Sequence, residues 1–469
     1  MSISKSQLVR AKGAPDLKSQ TSRAYVYLIS LVAAVGGLLF GYDLSIISGA
    51  VIFLEKEFSL SAMELGLAIG SATLGCIPGP LVAGWIGDRI GRKKSLLVAA
   101  LLFGGCAVGT AFSRNIAQFS VYRILGGVGV GVASVVSPMY IAEVAPARLR
   151  GRLVSLYQLA IVIGSTASIV VSYFFSFSGN WRGMFLSMLV PATVLLLGLL
   201  FVPESPRWLV QRNRSDEAFQ ILAKVDGPAN AGSELKEIHT AITAESANIS
   251  ELFRPGLRVA LLVAVALGIF QQWTGVSPLT FYAPIIFQKA GFRLASDALL
   301  QTIIFNICNL ACTVTAFLVV DRLGRRPLLL LGTAGMALAQ ALLGTFFWFN
   351  LAGVYVVFAM FLCVGTYALS LAPMTWLIIS EIFPMRLRAK GQAAGSLAVW
   401  IAAYSSTQFM APTMRYMDRH FGSVAGMFWV YAGVCVLALL FGWRYVPETK
   451  GRSLEEIGRS WHSRLSAPA

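Results

Sequence analysis

Two side chains of opposite charge lie well inside apolar stretches of this sequence. Asp43 lies in the run VGGLLFGYDLSIISGA, and Arg123 lies in the apolar run that follows Asn115. A single charge at the centre of a membrane helix costs about 2.5–3.5 kcal/mol, so such residues usually serve ion or proton pathways. Counting about 1.5 Å per residue along each helix places both charges at a similar depth. We therefore predict that Asp43 and Arg123 pair and that the pair loads and releases a proton; the alternative is a static ion pair that fixes helix packing.

Membrane-spanning helices are the elements that must position this pair. Of the 469 residues, 56% are hydrophobic and only 13% are charged, far from the composition of a soluble domain. Crossing a bilayer takes about 20 apolar residues in a helix, and no stretch alternates as a barrel strand would. We predict an all-α membrane protein. Its twelve apolar runs lie at roughly 24–53, 63–87, 95–112, 116–141, 153–175, 184–202, 257–288, 298–320, 327–349, 353–380, 391–414 and 424–446.

The second half of the chain repeats motifs of the first half. GDRIGRKKSLL recurs as VDRLGRRPLLL, IAEVAPARLRG recurs as ISEIFPMRLRA, and PESPRW recurs loosely as PETKGR. Such duplicated six-helix units are typical of transporters, whose substrate site lies near the midplane between the repeats. We predict a cytoplasmic tail at 1–23, a six-helix bundle at 24–202, a cytoplasmic linker at 203–256, a second six-helix bundle at 257–446 and a cytoplasmic tail at 447–469.

The net charge of +16 comes from Lys and Arg clusters in alternate loops. This asymmetry predicts a multi-pass protein of the cell membrane with both termini in the cytoplasm. No aromatic-rich basic platform accompanies the charge, so we expect no nucleic-acid partner. Within the linker, Ser215 and Ser233 are candidate N-caps of two short amphipathic helices on the cytoplasmic side. A solvated linker without helices is the alternative.

Acidic and basic residues alternate at the cytoplasmic ends of the predicted helices. Carboxylates and guanidiniums placed in this way can pair bidentately between neighbouring helices. We predict latches that keep the cytoplasmic face closed while the protein is open outward; the alternative is charge that only sets topology. The latch residues are Asp88, Arg89, Arg92, Glu143, Arg150 and Glu204, with Asp321, Arg322, Arg325, Glu381, Arg388 and Glu448 as their second-half copies.

The glycine-rich segment GGVGVGV at 126–132 looks like a phosphate-binding loop but lies inside an apolar run with no strand before it. Its GxxxG spacing predicts close approach of two helices instead. Gly275, Pro278 and Pro284 predict a break in the seventh run. The six cysteines form no CxxC pair, and the three histidines lie in loops or the tail, so we expect no metal, no cofactor and no enzyme active site.

Several uncharged polar and aromatic side chains also lie inside the runs. Amides in hydrocarbon need hydrogen-bond partners, and the ordinary role of any one of them is to join helices. As a set with tryptophan they suit a neutral polyhydroxyl ligand, because amides pair with hydroxyls and indole faces stack on a sugar ring. The set comprises Gln158, Gln271, Gln272, Asn306, Asn309, Trp376 and Trp400.

In combination, the motifs resemble those of the sugar porters of the major facilitator superfamily. They are GYDLSIISGA, GDRIGRKK, PMYIAEVAPARLRG, PESPRWL, FQQWTG, DRLGRRP, SEIFPMRLRAKG and PETKGRSLEEI. The resemblance implies the major facilitator fold, alternating access, a central sugar site and cytoplasmic helices between the bundles. It places Asp43 at the acidic position of proton-coupled members and Arg123 at the position of its partner. The implied sugar-contacting positions are Gln158, Gln271, Gln272, Ser277, Asn309 and Trp376, with Trp400 next to one.

The chain departs from the sugar-porter pattern around the implied pocket. Ser277 stands where the seventh-helix pattern has Asn, and Phe281 replaces a Tyr. Ala372, Val399 and Ser165 also replace residues that differ in reach or hydrogen bonding. We expect a monomeric, proton-coupled symporter of a monosaccharide or polyol in the lipid bilayer. The alternatives are a facilitative uniporter with a static Asp43–Arg123 pair, a symporter of a non-sugar organic solute, and a sugar sensor, against which the short C-terminal tail argues.

Overall fold

A computed structural model describes residues 18–243, 249–253, 257–351, 353–384 and 387–449, all in helices and their connections. Residues 1–17 and 450–469 of the two predicted tails lie outside this description. Eight helices form the first bundle, in which two membrane crossings are each divided into two helices. They are α1 (Lys18–Phe58), α2 (Ala62–Cys76), α3 (Gly79–Ile90), α4 (Arg92–Ala111), α5 (Ile116–Val144), α6 (Ala147–Ser176), α7 (Trp181–Leu186) and α8 (Leu189–Phe201).

Short helices follow the first bundle: α9 (Pro206–Gln211), α10 (Ser215–Asp226), α11 (Pro228–Thr243) and a 3-10 turn (Ile249–Phe253). Both predicted N-caps are wrong. Ser215 is the first helical residue of α10, after Arg214 at the cap position. Ser233 lies inside α11 and donates to the Asn230 carbonyl at 2.8 Å. The helix begins five residues earlier because proline, whose φ is already helical, favours a first helical position.

The second bundle contains ten helices because several of its crossings are broken. They are α12 (Leu257–Trp273), α13 (Val276–Phe281), α14 (Ala283–Lys289), α15 (Ala295–Leu323), α16 (Arg325–Trp348), α17 (Val354–Leu369), α18 (Leu371–Ile382), α19 (Arg388–Gln408), α20 (Met410–Phe421) and α21 (Ala425–Tyr445). The predicted break in the seventh crossing is confirmed, with Gly275 at φ +90° between α12 and α13. The break at Ser370, between α17 and α18, was not foreseen from the sequence.

Eleven helical stretches of the described chain are long and apolar enough to cross a membrane. The remaining crossing consists of α19 and α20, and α19 carries more polar residues, such as Lys390 and Gln392. α19 packs against α12 of its own bundle and α2 of the other. The architecture is therefore twelve transmembrane helices in two six-helix bundles, the major facilitator fold.

The glycines of α5 let it approach the second crossing closely. Gly127 and Gly131 face Gly75 and Gly79, and a Cβ on Gly79 would lie 2.3 Å from the Cα of Gly131. Side chains at these positions would force the helices apart, as in other small-residue helix contacts. The segment 126–132 is thus a helix-packing surface, as predicted. This packing fixes α5, and with it Arg123, against the rest of the first bundle.

Candidate functional site

Asp43 on α1 and Arg123 on α5 meet in the interior of the first bundle, and both side chains are fully buried. One terminal nitrogen of Arg123 donates to Asp43 Oδ1, and the other donates to the Asp43 backbone carbonyl at 2.9 Å. Asp43 Oδ2 and Arg123 Nε have no hydrogen-bond partner among the described residues. The arrangement thus engages one carboxylate oxygen and leaves the other able to take a proton.

The surroundings of this pair are mostly apolar. Cys106 Sγ of α4 lies 3.8 Å from Asp43 Oδ1, and the Phe185 ring of α7 lies 5.5 Å from the guanidinium carbon of Arg123. The hydroxyl of Tyr42 lies 2.6 Å from Ser187 Oγ, at the break between α7 and α8. In such a low-dielectric site, losing one charge of the pair leaves the other uncompensated, which is strongly destabilising.

Three predicted sugar-contacting residues form one hydrogen-bonded cluster at the break in the seventh crossing. Gln271 Nε2 lies 3.2 Å from the carbonyls of Leu371 and Ala372, and Gln272 Nε2 lies 3.4 Å from Gln271 Oε1. The hydroxyl of Ser277, on α13, donates to Gln272 Oε1. The amides therefore join the broken seventh crossing to the start of α18, which follows the second break.

The other predicted sugar-contacting residues lie on different helices and, within the described part of the chain, are not hydrogen-bonded to this cluster. Gln158 on α6 and Trp376 on α18 are exposed, and Asn309 on α15 is half-buried. Trp400 on α19 is buried, with its ring 5.7 Å from that of Phe40 on α1. The exposed amide and indole are available to a ligand, whereas Trp400 lies where the two bundles meet.

Polar contacts between the bundles form a group that reasoning from the sequence missed. Ser45 and Ser165 lie 2.6 Å apart within the first bundle, and Ser165 donates to Asn306 Oδ1 of the second bundle at 3.0 Å. Arg415 of α20 pairs with Glu55 of α1 at 2.7 Å and also donates to the Leu60 carbonyl at 3.1 Å. Nothing in the spacing of these residues signals the contacts, because each depends on how two distant helices face each other.

Two of these contacts lie near mid-depth or on the side of the bundles away from Arg92. Two further hydrogen bonds connect the bundles. Ser48 Oγ donates to the Thr280 carbonyl at 3.2 Å, and Gln408 Nε2 donates to the Met63 carbonyl at 3.2 Å. By contrast, the contacts of Arg92 stay within its own bundle.

The charged motifs of the first bundle form a compact cluster. Arg92, at the start of α4, donates to both carboxylate oxygens of Glu143 at 2.9 and 3.0 Å. Ser205 Oγ also donates to Glu143, at 2.5 Å. Glu204 accepts from the backbone nitrogens of Arg92 and Lys93 at 2.9 and 3.0 Å, so it caps the N-terminus of α4 from another segment.

The second bundle repeats this cluster with equivalent residues. Arg325, at the start of α16, pairs with Glu381 at 3.2 Å, and Thr449 Oγ1 donates to Glu381 at 2.5 Å. Glu448 accepts from the backbone nitrogens of Arg325 and Arg326, both at 3.1 Å. The predicted motif pairs are thus brought together twice, each time as a carboxylate–guanidinium pair beside a helix N-terminus that a second carboxylate caps.

The remaining latch candidates have other surroundings. The Asp88 carboxylate is 72% exposed, 3.2 Å from Arg92, and the Arg89 guanidinium lies over the Trp85 ring. Arg150 lies 3.6 Å from Glu234 of α11, so it joins the first bundle to the short helices that follow it. Burial raises the pKa of Glu234 above its usual value, an effect that Arg150 opposes.

In the second bundle, three latch candidates remain. Arg322 lies in the last turn of α15, and Arg388 begins α19 with its Nε lacking a partner within the described chain. The Asp321 side chain lies outside the described residues.

Comparison with known proteins agrees with this fold and these motifs. The family model described as "Sugar (and other) transporter" matches residues 29–461. A D-xylose-proton symporter of Escherichia coli (strain K12) is 39% identical, over 95% of this chain and 97% of its own. An arabinose-proton symporter of Bacillus subtilis (strain 168) is also 39% identical, over 94% and 96%. A solved structure, the inward-open conformation of the xylose transporter XylE from E. coli, matches with a TM-score of 0.82 and 38% identity, over 93% of this chain and 100% of that one.

Proposed function

Because the chain belongs to the sugar transporter family, we propose that it is a proton-coupled symporter of a monosaccharide or polyol that works by alternating access. The observation that supports proton coupling is the fully buried Asp43–Arg123 pair, in which one carboxylate oxygen has no partner in the described chain. The match to an inward-open structure agrees with the contacts that join the bundles away from Arg92.

Proton uptake would act directly on this pair. A proton on Asp43 Oδ2 neutralises the carboxylate and removes most of its attraction for Arg123. The guanidinium keeps its bond to the Asp43 carbonyl, so it stays near α1 while the charge–charge interaction is lost. The change in pairing between α1 and α5 then biases the equilibrium between the outward-facing and inward-facing states, as a ligand with different affinity for two states does.

The sugar would bind between the bundles, at the broken seventh crossing. Gln271, Gln272 and Ser277 supply amide and hydroxyl groups there, and Gln158 and Trp376 are exposed on facing bundles. Amides that already pair with each other exchange those bonds for sugar hydroxyls at little net cost. Asn309 and Trp400 complete the proposed set of contacts.

We place the protein in the cell membrane as a monomer, with both termini in the cytoplasm. The two cytoplasmic clusters, around Arg92 and Arg325, would act as latches in the outward-facing state, when the cytoplasmic ends of the bundles come together. In the inward-facing state each cluster holds the helix ends of its own bundle.

A facilitative uniporter is the second candidate. The bond from Arg123 to the Asp43 backbone carbonyl favours it, because that bond does not depend on the charge of the carboxylate. A pair held in this way could be static. Ser277 and Phe281, which depart from the sugar-porter pattern, leave a non-sugar organic solute as a third candidate.

Replacement of Asp43 by Asn distinguishes symport from facilitation. In proteoliposomes containing the protein, D-xylose, L-arabinose, D-galactose and myo-inositol are tested for uptake driven by an imposed proton gradient and for exchange between equal concentrations. For a symporter, D43N abolishes accumulation against a gradient while exchange persists. The control is Asp216→Asn, which removes an exposed carboxylate of α10 outside the proposed latches and should keep both activities.

Full retention of gradient-driven accumulation in D43N would refute proton coupling through this residue. Exchange without accumulation in the unmodified protein would instead support the uniporter. Failure of all four compounds to exchange would argue for a different class of substrate.

A further inference from the structure

The break in the seventh crossing leaves a backbone carbonyl that cannot make a helical hydrogen bond. In a continuous helix the Thr274 carbonyl would accept from the backbone nitrogen of residue 278, but that residue is Pro278, which has no N–H. Gly275, at φ +90°, turns the chain at the same point. An unsatisfied carbonyl at membrane depth costs several kcal/mol, so the break needs a donor from elsewhere.

Gln340 supplies that donor from a different helix. Its side chain, on α16, is fully buried, and Nε2 donates to the Thr274 carbonyl at 2.8 Å. Cys435 Sγ, on α21, is a second and weaker donor to the same carbonyl, at 3.9 Å. Gly275 packs closely against these helices, because a Cβ at this position would lie 2.7 Å from the Tyr431 ring and 2.8 Å from Gln340 Nε2.

The break held by Gln340 lies in the middle of the proposed sugar-contacting cluster. Gln271 and Gln272 end α12 on one side of it, and Ser277 lies on α13 on the other side. The hydrogen bond from Ser277 Oγ to Gln272 Oε1 crosses the break. The direction in which α13 leaves α12 therefore decides how these three polar groups are spaced.

We propose that Gln340 is a positioning residue for sugar binding. It does not contact the sugar; its amide fixes the Thr274 carbonyl, and thereby the geometry of the break and the spacing of Gln272 and Ser277. The effect of Gln340 on sugar binding rests on the proposed function, whereas its role in fixing the break does not depend on any ligand.

The test replaces Gln340 by Met, which has a similar volume and no donor. The control is Thr345→Val on the same helix. The Thr345 hydroxyl donates to the Ala341 carbonyl of α16 at 2.9 Å and, within the described chain, bonds to no other helix. In Q340M the Thr274 carbonyl loses its donor at 2.8 Å and keeps only the weaker contact from Cys435 Sγ, so the break is held less firmly. We expect the dissociation constant for whichever of D-xylose, L-arabinose, D-galactose or myo-inositol binds best to rise by about tenfold in Q340M. The maximal transport rate and its pH profile should stay close to those of T345V.

A second measurement requires no sugar. Amide hydrogen exchange of residues 270–282 should be about tenfold faster in Q340M than in T345V. If Q340M does not fold, Gln340→Asn keeps an amide but is too short to reach the carbonyl, and it should show the same two changes. Unchanged amide hydrogen exchange together with unchanged affinity for the sugar would overturn the proposal. A lower melting temperature with unchanged affinity for the sugar would also overturn it. If no compound binds the unmodified protein while exchange still accelerates in Q340M, then the proposed substrate class fails and the role of Gln340 at the break stands.

Discussion

In the proposed orientation, the ion pair between Glu55 and Arg415 joins the outer ends of α1 and α20, and Glu55→Gln removes its charge–charge interaction. The two side chains come from different bundles and lie 2.7 Å apart. Separation of the outer ends on the way to the outward-facing state must break this contact. Removing it should therefore raise the population of the outward-facing state.

The size of this effect follows from the exposure of the pair. The side chains of Arg415 and Glu55 are 36% and 38% exposed, so solvent screens much of their attraction. Such pairs contribute about 0.2–1 kcal/mol, which corresponds to a roughly 1.4- to 5-fold shift in the ratio of the two states. The bond from Arg415 to the Leu60 carbonyl remains in the variant and keeps the effect within that range.

Glu57→Gln is the matched control. Glu57 lies two residues further along α1 with similar exposure, but it pairs with Arg182 at 2.8 Å and accepts from Trp181 Nε1 at 2.5 Å. Both partners belong to the same bundle as Glu57, so no contact between bundles is lost. We expect E57Q to leave the ratio of states unchanged.

Electron–electron distance measurements between spin labels provide the assay. In a cysteine-free background, labels at Ser178 and Arg293 report the separation of exposed outer loops of the two bundles. The fraction with the longer distance should rise in E55Q and not in E57Q. Equal shifts in both variants, or no shift in E55Q, would show that the Glu55–Arg415 pair does not hold the outer face closed.

Two further predictions concern the cytoplasmic side. Arg92→Lys replaces a guanidinium that donates to both oxygens of Glu143 by an ammonium that cannot do so. The free energy of unfolding, measured in denaturant melts, should fall by about 1.5–3 kcal/mol. The control Arg152→Lys, at an exposed position, should not lower it. Burial raises the pKa of Glu234 in the folded protein. Above this raised pKa the ionised carboxylate lowers the stability of the folded linker, and below the ordinary pKa of Glu this destabilisation is absent. Glu234→Gln should therefore slow amide exchange in α11 at pH 7 and have little effect near pH 4; faster exchange at pH 7 would mean that the ion pair with Arg150 outweighs burial.

Features with a strong local cause could be predicted from the sequence. Long apolar runs and loop charge predict the membrane helices because hydrocarbon leaves few alternatives to a helix. Asp43 and Arg123 could be matched because few charges lie inside the runs, so depth alone restricts the choice. The break at Gly275 was predictable from residues that cannot continue a helix.

Features that depend on helix rotation or tertiary context could not be predicted. The bond from Ser165 to Asn306 and the pair of Glu55 with Arg415 each require two distant helices to present particular faces to each other. The break at Ser370 lacks the glycine that marks the one at Gly275; its signal is Pro373, which has no N–H for the Leu369 carbonyl at the end of α17, and this proline was not used in the prediction. Ser233 satisfies the cap pattern but lies inside α11, because the helix begins at an earlier proline.

The distribution of burial among the ion pairs indicates where coupling to the proton has the most effect. Glu55 and Arg415 are already partly in solvent, so separating them costs little. The Arg92–Glu143 pair stays within one bundle and need not break when the bundles move. The Asp43–Arg123 pair is fully buried, so a change in its charge state has no solvent to compensate it and must be accommodated by moving helices. Of these three pairs, it is therefore the one that we propose for coupling the proton to the direction in which the protein opens.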